Sequence, residues 1–122
     1  MPPADATPDG AGEPLCALED LAVPGAREFR LGAGAWPLRV IVVRLAQGVR
    51  GYVNRCPHAG HALNLRADDF LTPDGALLVC RSHGALFEPA TGACVGGPCA
   101  GAALERVALE VVAGTVRLAP SR

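Results

Sequence analysis

Two short, mixed pairs of metal donors constrain this chain more than any other feature: Cys56-Pro57-His58 and, after 21 intervening residues, Cys80-Arg81-Ser82-His83. Donors this far apart act together only if a scaffold presents two loops face to face. Each pair offers one thiolate and one imidazole, and each is followed by small residues, Ala59-Gly60 and Gly84-Ala85, which let backbone amides approach whatever the pairs hold. Four such donors suit a two-iron cluster with two thiolates on one iron and two imidazoles on the other. They also suit a tetrahedral zinc ion, although zinc ribbons pair cysteine with cysteine and both pairs here are mixed.

The rest of the chain reads as all-β. Short apolar stretches are punctuated by 15 glycines and 11 prolines, with no sustained run at helical spacing. The clearest expected strands are Leu38–Leu45, rich in Val and Ile, and residues 49–54, with Ala46-Gln47-Gly48 as the hairpin turn. Thr72-Pro73-Asp74-Gly75 is a turn signal, because proline presets a negative φ and glycine tolerates a positive one. It leads into an expected strand at residues 76–80, which would put Cys80 at a strand end. Val107, Leu109 and Val111 alternate with Ala108 and Glu110, and Ala113-Gly114 then turns the chain into a last strand at Thr115–Leu118.

With 122 residues and 50% hydrophobic composition the chain fills one domain's core. Residues 1–14 hold four prolines and few large apolar groups, and are expected to be a flexible tail preceding a domain at 15–122. The net charge is −1 and the eleven basic residues, all arginine, are scattered, which leaves no footprint for nucleic acid. Asp5, Asp9 and Glu13 stand where a secretory leader needs positive charge, and no apolar stretch is long enough to span a bilayer. A soluble cytoplasmic protein with no membrane partner is expected. The odd count of five cysteines fits metal ligation or packing better than a disulfide framework.

The ligand pairs and their flanks resemble the Rieske [2Fe–2S] domain family, most closely its small soluble ferredoxins. The likeness runs through Asn54-Arg55-Cys56-Pro57-His58-Ala59-Gly60, Cys80-Arg81-Ser82-His83-Gly84-Ala85-Leu86-Phe87, Thr91-Gly92 and the Gly96-Gly97-Pro98 turn, within residues 15–118. It implies a small antiparallel β base with an inserted cluster-binding subdomain near residues 54–99. It also implies a [2Fe–2S] cofactor held by Cys56, His58, Cys80 and His83, under a proline loop formed by the Gly96-Gly97-Pro98 turn. High-potential relatives carry an extra cysteine in each ligand loop, joined as a disulfide, where this chain has His61 and Ser82. They also place a serine and a tyrosine near the sulfurs, where this chain has Ala85 and Phe87. Fewer donors to the sulfurs stabilise the reduced cluster less, so a potential toward the low end of the Rieske range, about −150 mV upward, is expected.

The function this implies is one-electron transfer, with His58 and His83 toward solvent as the electron exit. The expected role is the ferredoxin that links a flavin reductase, as donor, to a terminal oxygenase. Catalysis of its own is not expected, because His61 alone remains for a mononuclear iron site. A dedicated small subunit of a reductase, such as nitrite reductase, and a zinc-stabilised structural module are the alternatives. His61 is read as a neighbour of the cluster or a surface histidine, and Cys16, Cys94 and Cys99 as packing thiols. Trp36 is read as an anchor of the base. Asp68, Asp69 and Asp74 offer either an acidic docking face or a solvated loop, and Arg81 either tunes the cluster or meets a partner.

Overall fold

The computed structural model describes residues 14–32, 38–57, 60, 62–82, 84–98 and 101–119. Among them ten strands follow in order: β1 (Pro14–Ala17), β2 (Gly25–Leu31), β3 (Leu38–Leu45), β4 (Gly48–Val53), β5 (Leu78–Val79), β6 (Leu86–Phe87), β7 (Cys94–Gly96), β8 (Arg106–Val107), β9 (Leu109–Val112) and β10 (Thr115–Leu118). They form three antiparallel sheets, in the orders β1-β10-β9, β2-β3-β4-β8 and β5-β6-β7. No α-helix occurs among the described residues, and none there is long and apolar enough to cross a membrane.

Strand β3 is the keel. Its run of β-branched residues suits a strand buried on both faces, and Val40, Ile41, Val42 and Val43 are all fully buried. Because side chains alternate, Val40 and Val42 join Leu21, Leu31, Val116 and Leu118 in one core, while Ile41 and Val43 join Tyr52, Phe70 and Phe87 in another. The second core also contains Cys56 and Cys80.

The expected β3–β4 hairpin forms, with Gly48 paired to Leu45 inside the strand and not in the turn. The expected continuous strand through Val107, Leu109 and Val111 is broken at Ala108. Val107 pairs with Gly51 in the middle sheet, whereas Leu109 pairs with Leu118 in the outer one, so one alternating stretch serves two sheets. The strand expected at residues 76–80 shrinks to Leu78–Val79. Its first residues are taken by the turn, where Ala76 N–H donates to Asp74 Oδ1 at 3.0 Å and Leu77 N–H to Thr72 Oγ1 at 3.2 Å. Cys80 still follows the strand directly, and Pro14, at the expected tail boundary, already pairs with Arg117.

Strands β4 and β8 are neighbours in the sheet although far apart in sequence, so everything between them is one excursion that returns to its origin. Val53 N–H donates to Glu105 C=O at 2.9 Å and closes its neck. The base grips the excursion through Arg50, whose Nε donates to Ala90 C=O at 3.1 Å, and through Tyr52, whose buried hydroxyl donates to Pro89 C=O at 2.6 Å. Burial raises the Tyr52 pKa against the opposing charges of Arg106 and Arg50, so the phenol stays a donor. Tyr52→Phe strands the buried Pro89 carbonyl and is expected to cost about 1–3 kcal/mol. A drop in the urea midpoint, followed by circular dichroism, measures this loss; an unchanged midpoint contradicts it.

Candidate metal centre

Cys56 and Cys80 lie on two loops of the same design. Cys56 C=O accepts from Gly60 N–H and Cys80 C=O from Gly84 N–H, each at 2.8 Å. The closing glycines have φ of +75° and +76°. A side chain at either would meet nothing within 4 Å, so the left-handed backbone is what demands glycine there, and not close approach to a neighbour. Both cysteines are fully buried, while Pro57, Gly60, Ser82 and Gly84 around them are exposed, so each thiol sits beneath a rim of loop backbone.

A third loop covers the second. Gly97 has φ +86°, and a Cβ there would lie 2.7 Å from Ala85 Cα and 3.0 Å from Gly84 O. The Gly96-Gly97-Pro98 turn therefore rests on the backbone of the Cys80 loop. Within it the Cys94 thiol donates to Gly96 C=O at 3.1 Å, in keeping with a packing thiol. Cys16 is half-buried against the other core, where burial pushes its thiol pKa up.

Of the four expected ligands, the structure thus brings Cys56 and Cys80 into one core. His58 and His83 lie outside the described residues, as do His61, Cys99 and Trp36.

The charged side chains between the loops are absorbed locally. Asp68 accepts from Glu28 N–H at 2.9 Å and faces Arg27 at 3.6 Å. Asp69 pairs with Arg81 at 2.7 Å. Asp74 accepts from the Thr72 hydroxyl at 2.6 Å, and that bond and the Ala76 N–H hold its carboxyl below the usual carboxylate range. Each of these carboxylates has an intramolecular partner, which favours the structural reading of the three over an acidic docking face. Arg81 turns back onto Asp69 and Leu71 C=O, clamping the loop that precedes β5.

One part of the site carries no signal in the ligand motif itself. Asn54, two residues before Cys56, carries a buried amide. It is bonded to Leu63 N–H, to Glu28 and to Asn64, and Glu28 is in turn paired with Arg39. Burial opposes ionisation of Glu28, but the hydrogen bonds from Arg39 and Asn54 and the charges of Arg39 and Arg30 outweigh it, so its pKa is lowered.

An antiparallel β base that projects two cysteine loops, the second of them under a glycine–proline turn, defines a small β-sheet protein. The family model of the Rieske [2Fe-2S] domain matches residues 13–113, and the chain belongs to that family, whose cofactor is a [2Fe–2S] cluster. Two desolvated thiols on equivalent loops within one core fit the cysteine half of such a centre. No curated protein sequence matches the chain. Among solved structures it is similar to the ferredoxin of carbazole 1,9a-dioxygenase from Nocardioides aromaticivorans IC177, with a TM-score of 0.70 and 22% identity over 91% of this chain and 99% of that one. A chain from the complex of reduced oxygenase and oxidized ferredoxin in carbazole 1,9a-dioxygenase gives 0.68 and 25%, over 89% and 93%. The terminal oxygenase of the Nocardioides system gives 0.72 and 18%, but there the likeness covers 93% of this chain and 31% of the other.

Proposed function

We propose that Cys56 and Cys80 hold one iron and His58 and His83 the other iron of a [2Fe–2S] cluster, and that the protein is a freestanding one-electron carrier. Its partners are a flavin reductase as donor and a terminal oxygenase as acceptor. The observation that carries this reading is the pair of buried thiols on matched loops in a chain of the Rieske family. The likeness to an oxygenase ferredoxin over nearly that protein's whole length supports the carrier role. When bound, the cluster supplies reversible exchange of a single electron. The chain's own part is to keep both thiols dry, to hold the loops in register and to present Pro57, Gly60, Ser82, Gly84, Gly97 and Pro98 toward solvent.

Co-purification from the native cell tests the carrier role. A protein isolated alone, and reduced by a flavin reductase fraction, fits a shuttle. A stable stoichiometric complex with a reductase overturns it in favour of a dedicated subunit.

Ala85 and Phe87 are fully buried beside Cys80 and carry no hydroxyl. The expected potential therefore lies toward the low end of the Rieske range, about −150 mV upward. Adding donors raises it: a hydrogen bond that favours the reduced state by about 1.4 kcal/mol shifts a one-electron couple by about 59 mV. Ala85→Ser and Phe87→Tyr are each expected to move the midpoint upward on that order. Redox titration followed by visible absorption checks it, and a wild-type potential well above zero contradicts the reading.

A further inference from the structure

We infer that Asn54, gripped by Glu28, is the positioning residue that sets the two cysteine loops in register with each other and with the base; the inference rests on the cluster reading above. A primary amide buried in an apolar core costs free energy unless its groups are matched, and the Asn54 amide is matched on three sides. Leu63 N–H donates to its Oδ1 at 2.8 Å, and its Nδ2 donates to Glu28 Oε2 at 2.7 Å and to Asn64 Oδ1 at 3.0 Å. Because Leu63 N–H is a donor, it fixes the oxygen on its own side and turns the NH₂ toward Glu28. The backbone N–H of Asn54 adds a bond to Arg39 C=O at 2.9 Å.

This side chain joins the first cysteine loop to β2 of the base and to Leu63 in the segment that leads to the second loop. Leu63 C=O accepts from Arg81 N–H at 2.8 Å, and Arg81 adjoins Cys80 as Asn54 nearly adjoins Cys56. Two hydrogen bonds in series therefore run from one cysteine loop to the other through Leu63. On the opposite side, Glu28 belongs to β2 of the base and is held by the Arg39 guanidinium, whose Nη2 reaches Oε1 at 3.2 Å. Glu28 aims the Asn54 amide, and the amide sets the distance between the loops. An apolar residue of similar volume fills the same space but transmits no register.

The test separates register from mere stability. Asn54→Asp keeps the shape and the bond from Leu63 N–H, but sets a carboxylate oxygen against the acceptors of Glu28 and Asn64. Loss of a partner that orients a ligand typically costs 10–100-fold in metal affinity. Anaerobically purified holoprotein is treated under nitrogen with a ferrous chelator and the visible band is followed, alongside the EPR spectrum of the reduced protein and the urea midpoint. The expected result is bleaching at least about tenfold faster than wild type with a changed spread of g values. Glu28 Oε2 accepts from both Arg39 Nε and Asn54 Nδ2, so Glu28→Ala removes the tie from the β2 side and is expected to speed bleaching in the same way. Should Asn54→Asp not accumulate as folded protein, Glu28→Ala carries the test. Wild-type bleaching rates and EPR spectra in these variants, with only the urea midpoint lowered, overturn the inference, and faster bleaching in Asn54→Asp beside wild-type behaviour in Glu28→Ala overturns the pairing with Glu28. A colourless wild-type protein overturns the cluster reading itself; a coloured wild type with unmoved variants overturns this inference alone.

Discussion

Cys80→Ala and Cys56→Ala are each expected to give a colourless, iron-free protein that remains folded, whereas Cys16→Ala keeps its full iron and colour. The reasoning is one of coordination and packing together. On the proposed assignment Cys56 and Cys80 each supply one of the donors that complete the cysteine-bound iron. Removing one sulfur atom from a core of Ile41, Tyr52, Phe70 and Phe87 leaves a cavity smaller than those of large-to-small aliphatic changes, so the cost in stability relative to iron-free wild type stays below about 2 kcal/mol. Cys16 lies against the other core, across β3. Iron and acid-labile sulfide per chain, read beside the visible spectrum, measure the effect. Full iron content in either Cys56→Ala or Cys80→Ala contradicts the ligand assignment.

Gly97→Ala is the second large effect. A side chain at this position pays twice: its φ of +86° is one that L-residues rarely adopt, and its Cβ would press on Ala85 Cα at 2.7 Å and Gly84 O at 3.0 Å. Both obstacles are backbone, so no side chain can swing aside and the covering turn must lift. Gly84→Ala is the internal comparison, since its φ of +76° imposes the same strain but its side chain meets nothing within 4 Å. Gly84→Ala is expected to cost about 1 kcal/mol, and Gly97→Ala about 2–3 kcal/mol together with faster loss of the cluster in air, as water and oxygen reach the loops. Urea unfolding of the two variants, with bleaching rates in air, separates strain from contact. Equal effects at the two glycines contradict the covering role of the turn.

The parts of this architecture legible in the sequence are those whose signal is local. The β3–β4 hairpin and the closing β9–β10 hairpin announce themselves through β-branched alternation on either side of a short turn. The cysteine loops are legible because donor and donor stand within four residues of each other. What alternation cannot report is which sheet a strand joins: residues 106–112 keep one periodicity throughout, yet the chain changes sheets at Ala108. Nor does it show strand β2, where Arg27, Glu28 and Arg30 interrupt the apolar pattern because Glu28 serves Asn54 and Arg39 instead of water. That partnership spans 26 residues of sequence, and no short-range pattern encodes it. The acidic residues between the loops left two readings open in the sequence, a docking face or a solvated loop. Their composition suits a docking face, but the turn and the neighbouring arginines use all three carboxylates.

The central claim is that this chain holds a mixed histidine–cysteine two-iron cluster for electron transfer. Anaerobic purification, followed by absorption and by EPR after dithionite reduction, tests it most directly, because the two spectra report metal and ligands together. The account predicts a red-brown protein whose reduced form gives a rhombic signal with an average g below that of the free electron, as expected where imidazoles replace two thiolates. A colourless, EPR-silent protein that contains zinc contradicts it and makes the chain a structural module.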